Sequence, residues 1–580
     1  MTSTTTAADT TGPNSRISAG VGLVLTLLTC GAMMAVDGAD PDLWGHVQYG
    51  REILQDGTLP RTSTWTHTAV GYRWINHENL SELLLAGVAN AFGASGLIWT
   101  KLLLSLIVIS LLLLNRDRLS GGLSPRLTTL AFIAVVAAMG LRVHWHFRPQ
   151  IVGYTCAAAM WWTLMRGLRR TSGAGSESIS IRPGLWGVVP ILWVWANSHG
   201  SFIAGLCMLW AYLGMIGADL FWQQGRRPSR TMFVLIGVAA AAGAVTLLNP
   251  YGYRLHLWLL EALRVPRPEI DDWRPLPLLE LDYLSFWVML LTTGWCGWSS
   301  WNLRTSTGPA ASQRLHLAEI VVLGLVGYQA VSHVRHLPLL ALTWGFLIAR
   351  PLEEQLNRLR AEASASLIEA HGNLPASPPR RFNPGWLVAM LVWGVYLGAT
   401  LGPKMTLLRV DRGDYPVDAF AYLARHRLEG RTIVTFNWAQ YAIALFADQH
   451  LHSTVAFDGR FRTCYPQQVI DNHFDFVIGN DPRVKRFRSP QSPPLDPERA
   501  LDEDDPELVV LCRQQAHSAA IMQRQQAEWS LLYEDGLAQI WGRRAVFDDP
   551  ASPRYLPPAE RRFTDKVPAG VANWPALPRS

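Results

Sequence analysis

The chain has 580 residues and a formal net charge of +6, and 49% of its residues are hydrophobic against only 17% that are charged. This composition is too apolar for an ordinary water-soluble protein, and with 25 tryptophans it predicts several membrane-spanning helices with aromatic side chains at the interfaces. The positive charge does not indicate a nucleic-acid partner, and we expect none, because membrane proteins carry excess Arg and Lys on their cytoplasmic loops.

Apolar and polar stretches divide the chain into four parts. Residues 1–16 are rich in Thr and Ser and are predicted to be disordered. Residues 17–403 are predicted to form a membrane domain of about eleven apolar spans, of which the first is expected to be an uncleaved anchor. Helix and strand patterns alternate in residues 404–545, which predicts a small α/β domain. Residues 546–580 form a Pro-rich tail.

Arginines indicate the orientation of the membrane domain. They concentrate in alternate connections, for example at Arg166, Arg226 and Arg358, and the positive-inside rule places these connections in the cytoplasm. The loop 37–80 and the C-terminal α/β domain then face outward. The expected fold class is mainly α: a polytopic membrane helical bundle with a small extracytoplasmic C-terminal α/β domain.

The first outward loop, residues 37–80, is acidic and aromatic. Asp40 is predicted to be the N-cap of an amphipathic helix with Pro41 at its first position, and Gly57 is predicted to end that helix. Two interpretations of Asp40 and Asp42 remain open. They either cap the helix and interact with its dipole, or they form a carboxylate pair that acts as a catalytic base or holds a divalent cation such as Mg²⁺ or Mn²⁺.

The other outward connections carry ionisable and amide side chains, whereas the cytoplasmic connections contain Arg with Ser, Gly and Pro. An ionisable group at membrane depth costs about 2.5–3.5 kcal/mol, so this one-sided clustering predicts a water-filled cavity. Arg and His suit a phosphate or pyrophosphate. Structural explanations stay open, because arginines extend to interfaces and amides stabilise turns. The outward residues are Arg142, His146, Arg148, Asn197, His199, Asn249, Tyr251, His333, Arg335 and His336.

One motif of the C-terminal part has two interpretations of the same kind. Asp458-Gly-Arg460 follows a predicted strand, which is where α/β sheets tend to bind ligands. The motif either faces the membrane cavity or forms a turn with a surface ion pair.

Several of these motifs together resemble a known group of proteins. Asp40-Pro-Asp-Leu-Trp-Gly-His46 and Trp74-Ile-Asn-His-Glu78, with Arg148-Pro-Gln150, Asn249-Pro-Tyr-Gly252 and Asp458-Gly-Arg460 further on, resemble a group of bacterial multi-spanning proteins. This group is similar to the GT-C glycosyltransferase superfamily, which includes protein O-mannosyltransferases, the lipid A aminoarabinose transferase and rhizobial lipopolysaccharide sugar transferases. The resemblance spans about residues 17–545 and implies a multi-pass protein of the bacterial inner membrane.

The resemblance implies a reaction. GT-C enzymes move a sugar from a polyprenyl-phosphate donor to an acceptor on the outer face, with inversion, and the acceptor here would be an extracytoplasmic glycan, lipid or protein. Asp40 or Asp42 would act at the acceptor, directly or through a divalent cation, and Glu78 with His77 would supply a second acidic or metal-binding element. Metal dependence stays open, because some branches of the superfamily need no metal.

The resemblance also implies a substrate-binding set. Arg148, His199, Arg335 and His336 would hold the lipid phosphate and stabilise it as a leaving group, and the remaining outward residues of the connections would line the same cavity. His46, His77, Asp458 and Arg460 complete the predicted set. Two other classes are compatible with such a cavity: a transporter or flippase for a lipid-linked saccharide, and a non-catalytic membrane scaffold.

Overall fold

The computed structural model describes residues 13–115, 125–173, 176–302, 316–371 and 384–578. Most of the segment predicted to be disordered lies outside the described residues, but its last residues belong to a helix that begins at Pro13. The helices up to residue 404 are α1 (Pro13–Met34), α2 (Leu43–Asp56), α3 (Asn79–Leu113), α4 (Leu127–Arg142), α5 (Gln150–Gly167), α6 (Val188–Ala196), α7 (Phe202–Gln223), α8 (Arg230–Val245), α9 (Tyr253–Arg264), α10 (Leu284–Asn302), α11 (Leu317–Ser332), α12 (Leu337–His371) and α13 (Pro384–Lys404).

Within the described residues, two helices are long and apolar enough to cross a membrane. These are α3 and α7, and shorter apolar helices accompany them, among them α4, α8 and α11. Helix α3 is broken at Gly93, whose φ of 60° and ψ of −150° are accessible to glycine and strained for other residues. The count of about eleven spans stays a prediction.

Close packing of large aromatic side chains fills the centre of the helical bundle. Trp145, Trp161 and Trp344 are fully buried where α4, α5 and α12 meet. The indole N–H of Trp161 donates a 3.1 Å hydrogen bond to Thr343 Oγ1, so its polar atom is satisfied without water. This rigid core supports the connections on the outward side.

The first outward helix, α2, begins later than the sequence pattern predicts. Asp42, and not Asp40, occupies the N-cap position, and its side chain makes no capping hydrogen bond. Asp40 Oδ1 instead accepts a 3.0 Å hydrogen bond from the backbone N–H of Asp42. Pro41 therefore lies before the helix and Asp40 is not its N-cap residue, but the Asp40 carboxylate does accept a hydrogen bond from a backbone N–H at the start of α2, as predicted. The predicted stop is confirmed, because α2 ends at Gly57 in a left-handed conformation with φ of 65°.

The C-terminal domain, which is predicted to face outward and is here called the outward domain, is built around a six-stranded mixed sheet in the order β5-β4-β6-β8-β7-β9. Strands β4, β5 and β6 are parallel, and β8 is antiparallel to both β6 and β7. The half of the sheet formed by β5, β4 and β6 is therefore parallel. The elements of this domain are β3 (Arg409–Asp411), α14 (Val417–Arg425), β4 (Arg431–Val434), α15 (Ala439–Asp448), β5 (Thr454–Val455), α16 (Gln467–Val477), α17 (Arg499–Asp502), β6 (Leu508–Cys512), α18 (Ala516–Arg524), β7 (Trp529–Glu534), β8 (Ala538–Arg543), α19 (Arg544–Phe547), β9 (Arg562–Phe563) and β10 (Val571–Asn573).

Strands β1 (Leu168–Gly173) and β2 (Ser176–Ile181) lie between α5 and α6 in the chain and form a separate antiparallel pair.

The segment predicted to be a Pro-rich tail is an integral part of this domain. Strand β9 extends the six-stranded sheet and β10 pairs with β3. Trp574 is buried, and the indole N–H of Trp44 in α2 donates a 2.8 Å hydrogen bond to the carbonyl of Pro575. The prediction of a separate tail from residue 546 is therefore wrong. Backbone pairing to distant strands decided this, and composition does not reveal such pairing.

Candidate active site

A cavity of about 1040 Å³ lies between the helical bundle and the outward domain. One end is polar and is lined by the first outward loop, by the α4–α5 and α9–α10 connections, and by the outward domain. The other end is an apolar arm between α7, α9 and α11. On the rim of this arm Leu263, Leu325 and Tyr328 remain more than half exposed, so the arm opens toward the side of the bundle.

Arg148 organises the carboxylates at the polar end. Its Nε lies 2.6 Å from Asp40 Oδ1, its Nη2 lies 3.2 Å from Asp42 Oδ2, and its Nη1 lies 3.3 Å from Asp272 Oδ2. Each guanidinium nitrogen therefore contacts a different carboxylate. Asp42 and Asp272 line the cavity, whereas Asp40 is buried behind them. Asp40 is thus placed to orient Arg148 and not to meet a ligand.

Asp42 is a cavity carboxylate whose pKa is shifted toward neutrality. Burial raises the pKa of Asp42 to about 6, although the Arg148 charge acts in the opposite direction. For Asp272 burial also favours the neutral form, but Arg148 and His144 outweigh it and hold the pKa below its usual value. A carboxylate with a pKa near the working pH suits a general base.

His46, Glu78 and Glu82 form a second charged cluster beside Asp42. His46 Nδ1 lies 3.2 Å from Glu82 Oε1, and the amide of Asn76 donates a 2.5 Å hydrogen bond to Glu82 Oε2. Burial lowers the pKa of His46, but its hydrogen bond to Glu82 and the Glu78 charge outweigh burial and raise the value to about 9. The imidazole is therefore positively charged at neutral pH.

Glu78 lies between two further histidines. Its Oε1 is 3.5 Å from His199 Nε2 and 3.8 Å from His77 Nε2. Burial acts to raise the pKa of Glu78, but the His77 and His46 charges outweigh it and lower the value. His199 has its pKa lowered to about 3, mainly by burial. Glu78 is therefore ionised, and His199 is neutral and available as a hydrogen-bond partner.

The cluster also contains the donors that a divalent cation needs. One ligand atom from each of His46, Glu78 and Glu82 lies within 4.8 Å of the others. One imidazole nitrogen with two carboxylates is a donor set that suits Mn²⁺ or Zn²⁺. The structure does not support the predicted cation site on Asp40 and Asp42, because Arg148 already places a permanent positive charge between those carboxylates.

Two arginines lie over the ring of one tryptophan that lines the cavity. The guanidinium carbons of Arg267 and Arg335 lie 4.9 and 4.7 Å from the centre of the Trp273 ring. In the part of the chain that the structure describes, neither guanidinium has a carboxylate within 4.0 Å. Burial, with the nearby Arg462 and Arg335 charges, lowers the pKa of Arg267 to about 9. The pair therefore presents positive charge that is not neutralised by direct contact.

The structure brings about half of the sequence-predicted site residues together at this cavity. Asp40, Arg142, His146, Asn197, Asn249, Tyr251, His333 and Asp458 do not line it. The predicted residues that line it are Asp42, His46, His77, Glu78, Arg148, His199, Arg335, His336 and Arg460.

Most predicted residues away from the cavity have local structural contacts. Arg142 pairs with Asp282 on the surface. The amide N–H of Asn249 donates hydrogen bonds to the carbonyls of Thr246 and Gly252, as expected for the turn interpretation, and the amide of Asn197 donates to two carbonyls. Of the two carbonyls that accept from Asn197, that of Trp193 belongs to its own turn and that of Leu248 to the α8–α9 connection. None of these residues lines the cavity.

Three more of the predicted residues that do not line the cavity make contacts close to it. His146 Nε2 lies 3.1 Å from the carbonyl of Val143. The hydroxyl of Tyr251 accepts a 2.9 Å hydrogen bond from the backbone N–H of Asn76. The ring of His333 meets Trp273 edge-on, with centroids 5.3 Å apart.

Asp458 and Arg460 join the outward domain to the first outward loop. Arg460 Nη2 donates a 2.7 Å hydrogen bond to Asp458 Oδ2 and a 2.6 Å bond to the carbonyl of Thr64. The guanidinium also lies 4.7 Å from the centre of the Tyr49 ring and 4.8 Å from that of Trp74. The pair is buried, so the predicted surface ion pair is wrong, and its contacts fix the roof of the cavity.

Sequence reasoning missed several cavity residues. Glu82, Arg267 and Asp272 line the cavity but were not among the residues predicted for the site. Gln440, from α15, is 3% exposed, lines the cavity and has an Oε1 atom without a hydrogen-bond partner. Of these residues, only Asp272 has a sequence feature that could have identified it as a site residue. It lies beside a tryptophan in a predicted outward connection that is rich in charged residues.

Comparison with known proteins supports the fold and gives no sequence relative. No protein-family profile matches the chain, and no curated protein matches it. The archaeal oligosaccharyltransferase AglB from Archaeoglobus fulgidus, in complex with an inhibitory peptide and a dolichol-phosphate, superposes with a TM-score of 0.51 and 10% identity over 90% of this chain and 73% of that chain. The apo form of the Archaeoglobus fulgidus oligosaccharyltransferase gives a TM-score of 0.51 with 10% identity over 86% of this chain and 70% of that chain.

A second type of enzyme is also similar in outline. ArnT from Cupriavidus metallidurans, bound to undecaprenyl phosphate, covers 94% of this chain and 100% of its own length with 12% identity and a TM-score of 0.45. The assignment of the fold rests on the two oligosaccharyltransferase structures. The chain has a GT-C-like fold, as the resemblance of its motifs implied.

Proposed function

We propose that this protein is a membrane glycosyltransferase. It transfers a sugar from a polyprenyl-phosphate donor to an extracytoplasmic acceptor, with inversion at the anomeric carbon, and works in the bacterial inner membrane with its C-terminal domain outside the cytoplasm. The observation that carries the proposal is the position of the Arg267–Trp273–Arg335 group. This group lines the same cavity as the apolar arm and the Asp42 carboxylate.

The apolar arm and the arginines match the two halves of a lipid phosphate. A prenyl chain needs an apolar groove that opens to the bilayer, which the rim of α9 and α11 provides. Its phosphate needs positive charge that no carboxylate neutralises by direct contact, which Arg267 and Arg335 provide among the described residues. Arg148 is less suited to this role than the sequence predicted, because its guanidinium contacts Asp40, Asp42 and Asp272.

The chemistry requires one base and one stabilised leaving group. An acceptor hydroxyl gives its proton to the Asp42 carboxylate, and its oxygen bonds to the anomeric carbon from the face opposite the phosphate. The bond from that carbon to the phosphate oxygen breaks, and the electron pair leaves with the phosphate. Arg267 and Arg335 offset the negative charge that develops there. A single displacement of this kind inverts the anomeric configuration.

A divalent cation fits the cluster beside the base. His46, Glu78 and Glu82 would hold it, once His46 gives up its proton. When bound, the cation would supply positive charge that lowers the pKa of an acceptor hydroxyl. Asp42 and Arg148 serve the reaction with or without it.

Binding of undecaprenyl phosphate tests the proposal and does not require that the sugar be identified first. The full-length protein in lipid nanodiscs is titrated with undecaprenyl phosphate, and native mass spectrometry measures the bound fraction. Arg335→Gln is expected to weaken binding by about tenfold, as for the loss of one charge-assisted contact. Arg142→Gln is the matched control, because Arg142 also lies in an outward connection but pairs with Asp282 away from the cavity.

Two results would contradict this assignment. If Arg335→Gln binds undecaprenyl phosphate as tightly as the wild type, the lipid phosphate does not bind at the Arg267–Trp273–Arg335 group. Sugar transfer that persists in Asp42→Asn, with lipid binding intact, would favour a transporter or scaffold that uses the same cavity without chemistry.

A further inference from the structure

A second cavity lies beside the first and has a different character. It encloses about 740 Å³ between the segment that precedes α2, the segment around β3, and the ends of β4 and β6. All of its lining residues belong to the first outward loop and the C-terminal domain, in the ranges 37–41, 409–415, 435–438 and 512–537. In the predicted orientation this cavity opens to water and not to the bilayer.

The position in the sheet favours ligand binding. Thr435 follows β4 directly, and Cys512 ends β6, so the cavity lies at the carboxyl ends of two adjacent parallel strands. In α/β sheets this is the edge where ligands bind, because loops diverge there and leave a crevice.

The lining is polar and mostly acidic. Three carboxylates, from Asp37, Asp411 and Asp414, face one arginine, Arg409. The side chains of Asp414, Asn437 and Gln514 are exposed, and within the described part of the chain they form no hydrogen bond or ion pair. Carboxylates and amides with free hydrogen-bonding capacity recognise hydroxyl groups well, and the excess of acids disfavours a negatively charged ligand.

The two cavities adjoin. Pro41, Asn437 and Gln515 line both of them. Asp42 follows Pro41 in the chain and lines only the catalytic cavity. The shared residues therefore place the second cavity next to the part of the catalytic cavity that contains Asp42.

We infer that this second cavity, here called the acceptor cleft, binds the acceptor of the transfer reaction. The acceptor is a saccharide that enters from water, carries free hydroxyls and is uncharged or cationic. This inference rests on the proposed glycosyl transfer and deepens it. The reacting hydroxyl gives its proton to Asp42 while its oxygen replaces the phosphate oxygen at the anomeric carbon, and the phosphate leaves with the electron pair.

Complementation of a deletion strain tests the inference. Mass spectrometry of the envelope glycans identifies the saccharide whose mass falls by one sugar without the gene and is restored by the wild type. The cleft variants Asp414→Lys and Gln514→Trp, whose residues line only the second cavity, are each expected to reduce the restored product by about tenfold or more. The matched control is Asp448→Lys, which reverses an exposed charge on α15 outside both cavities and should restore the product.

Lipid binding separates this inference from the function on which it rests. Purified cleft variants should bind undecaprenyl phosphate with the wild-type affinity, which also shows that they are folded. Full product from both cleft variants, or a product whose accepting group is a lipid or an anionic saccharide, would overturn the cleft assignment and leave the glycosyl transfer standing. Wild-type protein that restores no product and binds no lipid phosphate would overturn both.

Discussion

Gly459 of the outward domain lies directly against Asp42 of the first outward loop. A methyl group at Gly459 would overlap Asp42 Oδ1 and would stand 2.6 Å from Gln440 Nε2. On the other side, a methyl group at Gly45 would overlap Gln440 Oε1. The two glycines therefore make room for the Gln440 amide next to the carboxylate that we propose as the base.

The Gly459→Ala variant tests this close approach. We expect the protein to fold and to bind undecaprenyl phosphate, but the added methyl must displace Asp42 or Gln440. Displacement of a reacting group by about 1 Å costs on the order of 100-fold in rate. Transfer rates measured on membranes of the complemented strain give the answer. The control is Gly214→Ala, where no atom lies within 4 Å of the added methyl. A normal rate in Gly459→Ala would show that this contact does not position the base.

Asp40→Asn and Asp42→Asn are expected to fail in different ways. Asp42 lines the cavity, so Asp42→Asn should abolish transfer and keep the thermal stability. Asp40 is buried and its Oδ1 accepts a 2.6 Å hydrogen bond from Arg148, so Asp40→Asn should lower the unfolding free energy by about 1–3 kcal/mol. Thermal melts and transfer assays on both purified variants distinguish these effects. Equal, mild effects of both substitutions would count against separate roles.

The pH dependence of transfer should report the ionisation of Asp42. Because burial raises its pKa to about 6, the carboxylate is deprotonated above that pH and protonated below it. The rate is therefore expected to rise between pH 5 and 7 with a midpoint near pH 6. Initial rates at saturating donor, measured from pH 5 to 8, test this. A transfer rate that stays constant between pH 5 and 7 would exclude Asp42 as the base.

The His46–Glu82 pair should make the stability fall in alkaline solution. The pKa of His46 is raised to about 9 in the folded protein, against about 6.5 for an unfolded chain. The stabilisation is therefore complete below pH 6.5 and is lost as the pH rises through 9, by up to about 3 kcal/mol. Unfolding free energies of the wild type and His46→Gln, measured from pH 6 to 10, should converge at high pH. Parallel curves would refute the assignment.

A cation at this cluster should compete with the proton on His46. Mn²⁺ is therefore expected to bind more tightly as the pH rises from 6 to 9, since metal ligation requires the neutral imidazole. Titration of the purified protein with Mn²⁺, followed by electron paramagnetic resonance, measures this affinity. Glu78→Gln should weaken binding, whereas Asp40→Asn should leave it unchanged. If only Asp40→Asn loses Mn²⁺ binding, the cation is bound by Asp40 and Asp42 and not by the His46 cluster.

Sequence patterns predicted the helices of the bundle well and the site only partly. Apolar periodicity locates a span to within a few residues, because burial in lipid demands a continuous apolar segment. The clustering of Arg and His residues in the connections between helices predicted one cavity, and Asp42, Arg335 and His336 are among the residues that line the cavity in the structure. The same pattern did not distinguish Arg335 from Arg142, because both follow a span on the outward side. The direction of each side chain depends on how the connection turns.

The sequence by itself determined that the chain forms an apolar helical bundle, that its Arg and His residues concentrate in the connections between helices, and that strands and helices alternate in the C-terminal domain. These properties follow from local composition and period, which each segment carries alone. Only the tertiary structure decided that Arg148 holds three carboxylates, that Arg267 and Arg335 share one tryptophan, and that Gly459 makes room beside Asp42. Most of these contacts join residues far apart in the chain, and their geometry is fixed by packing between elements that no local pattern encodes.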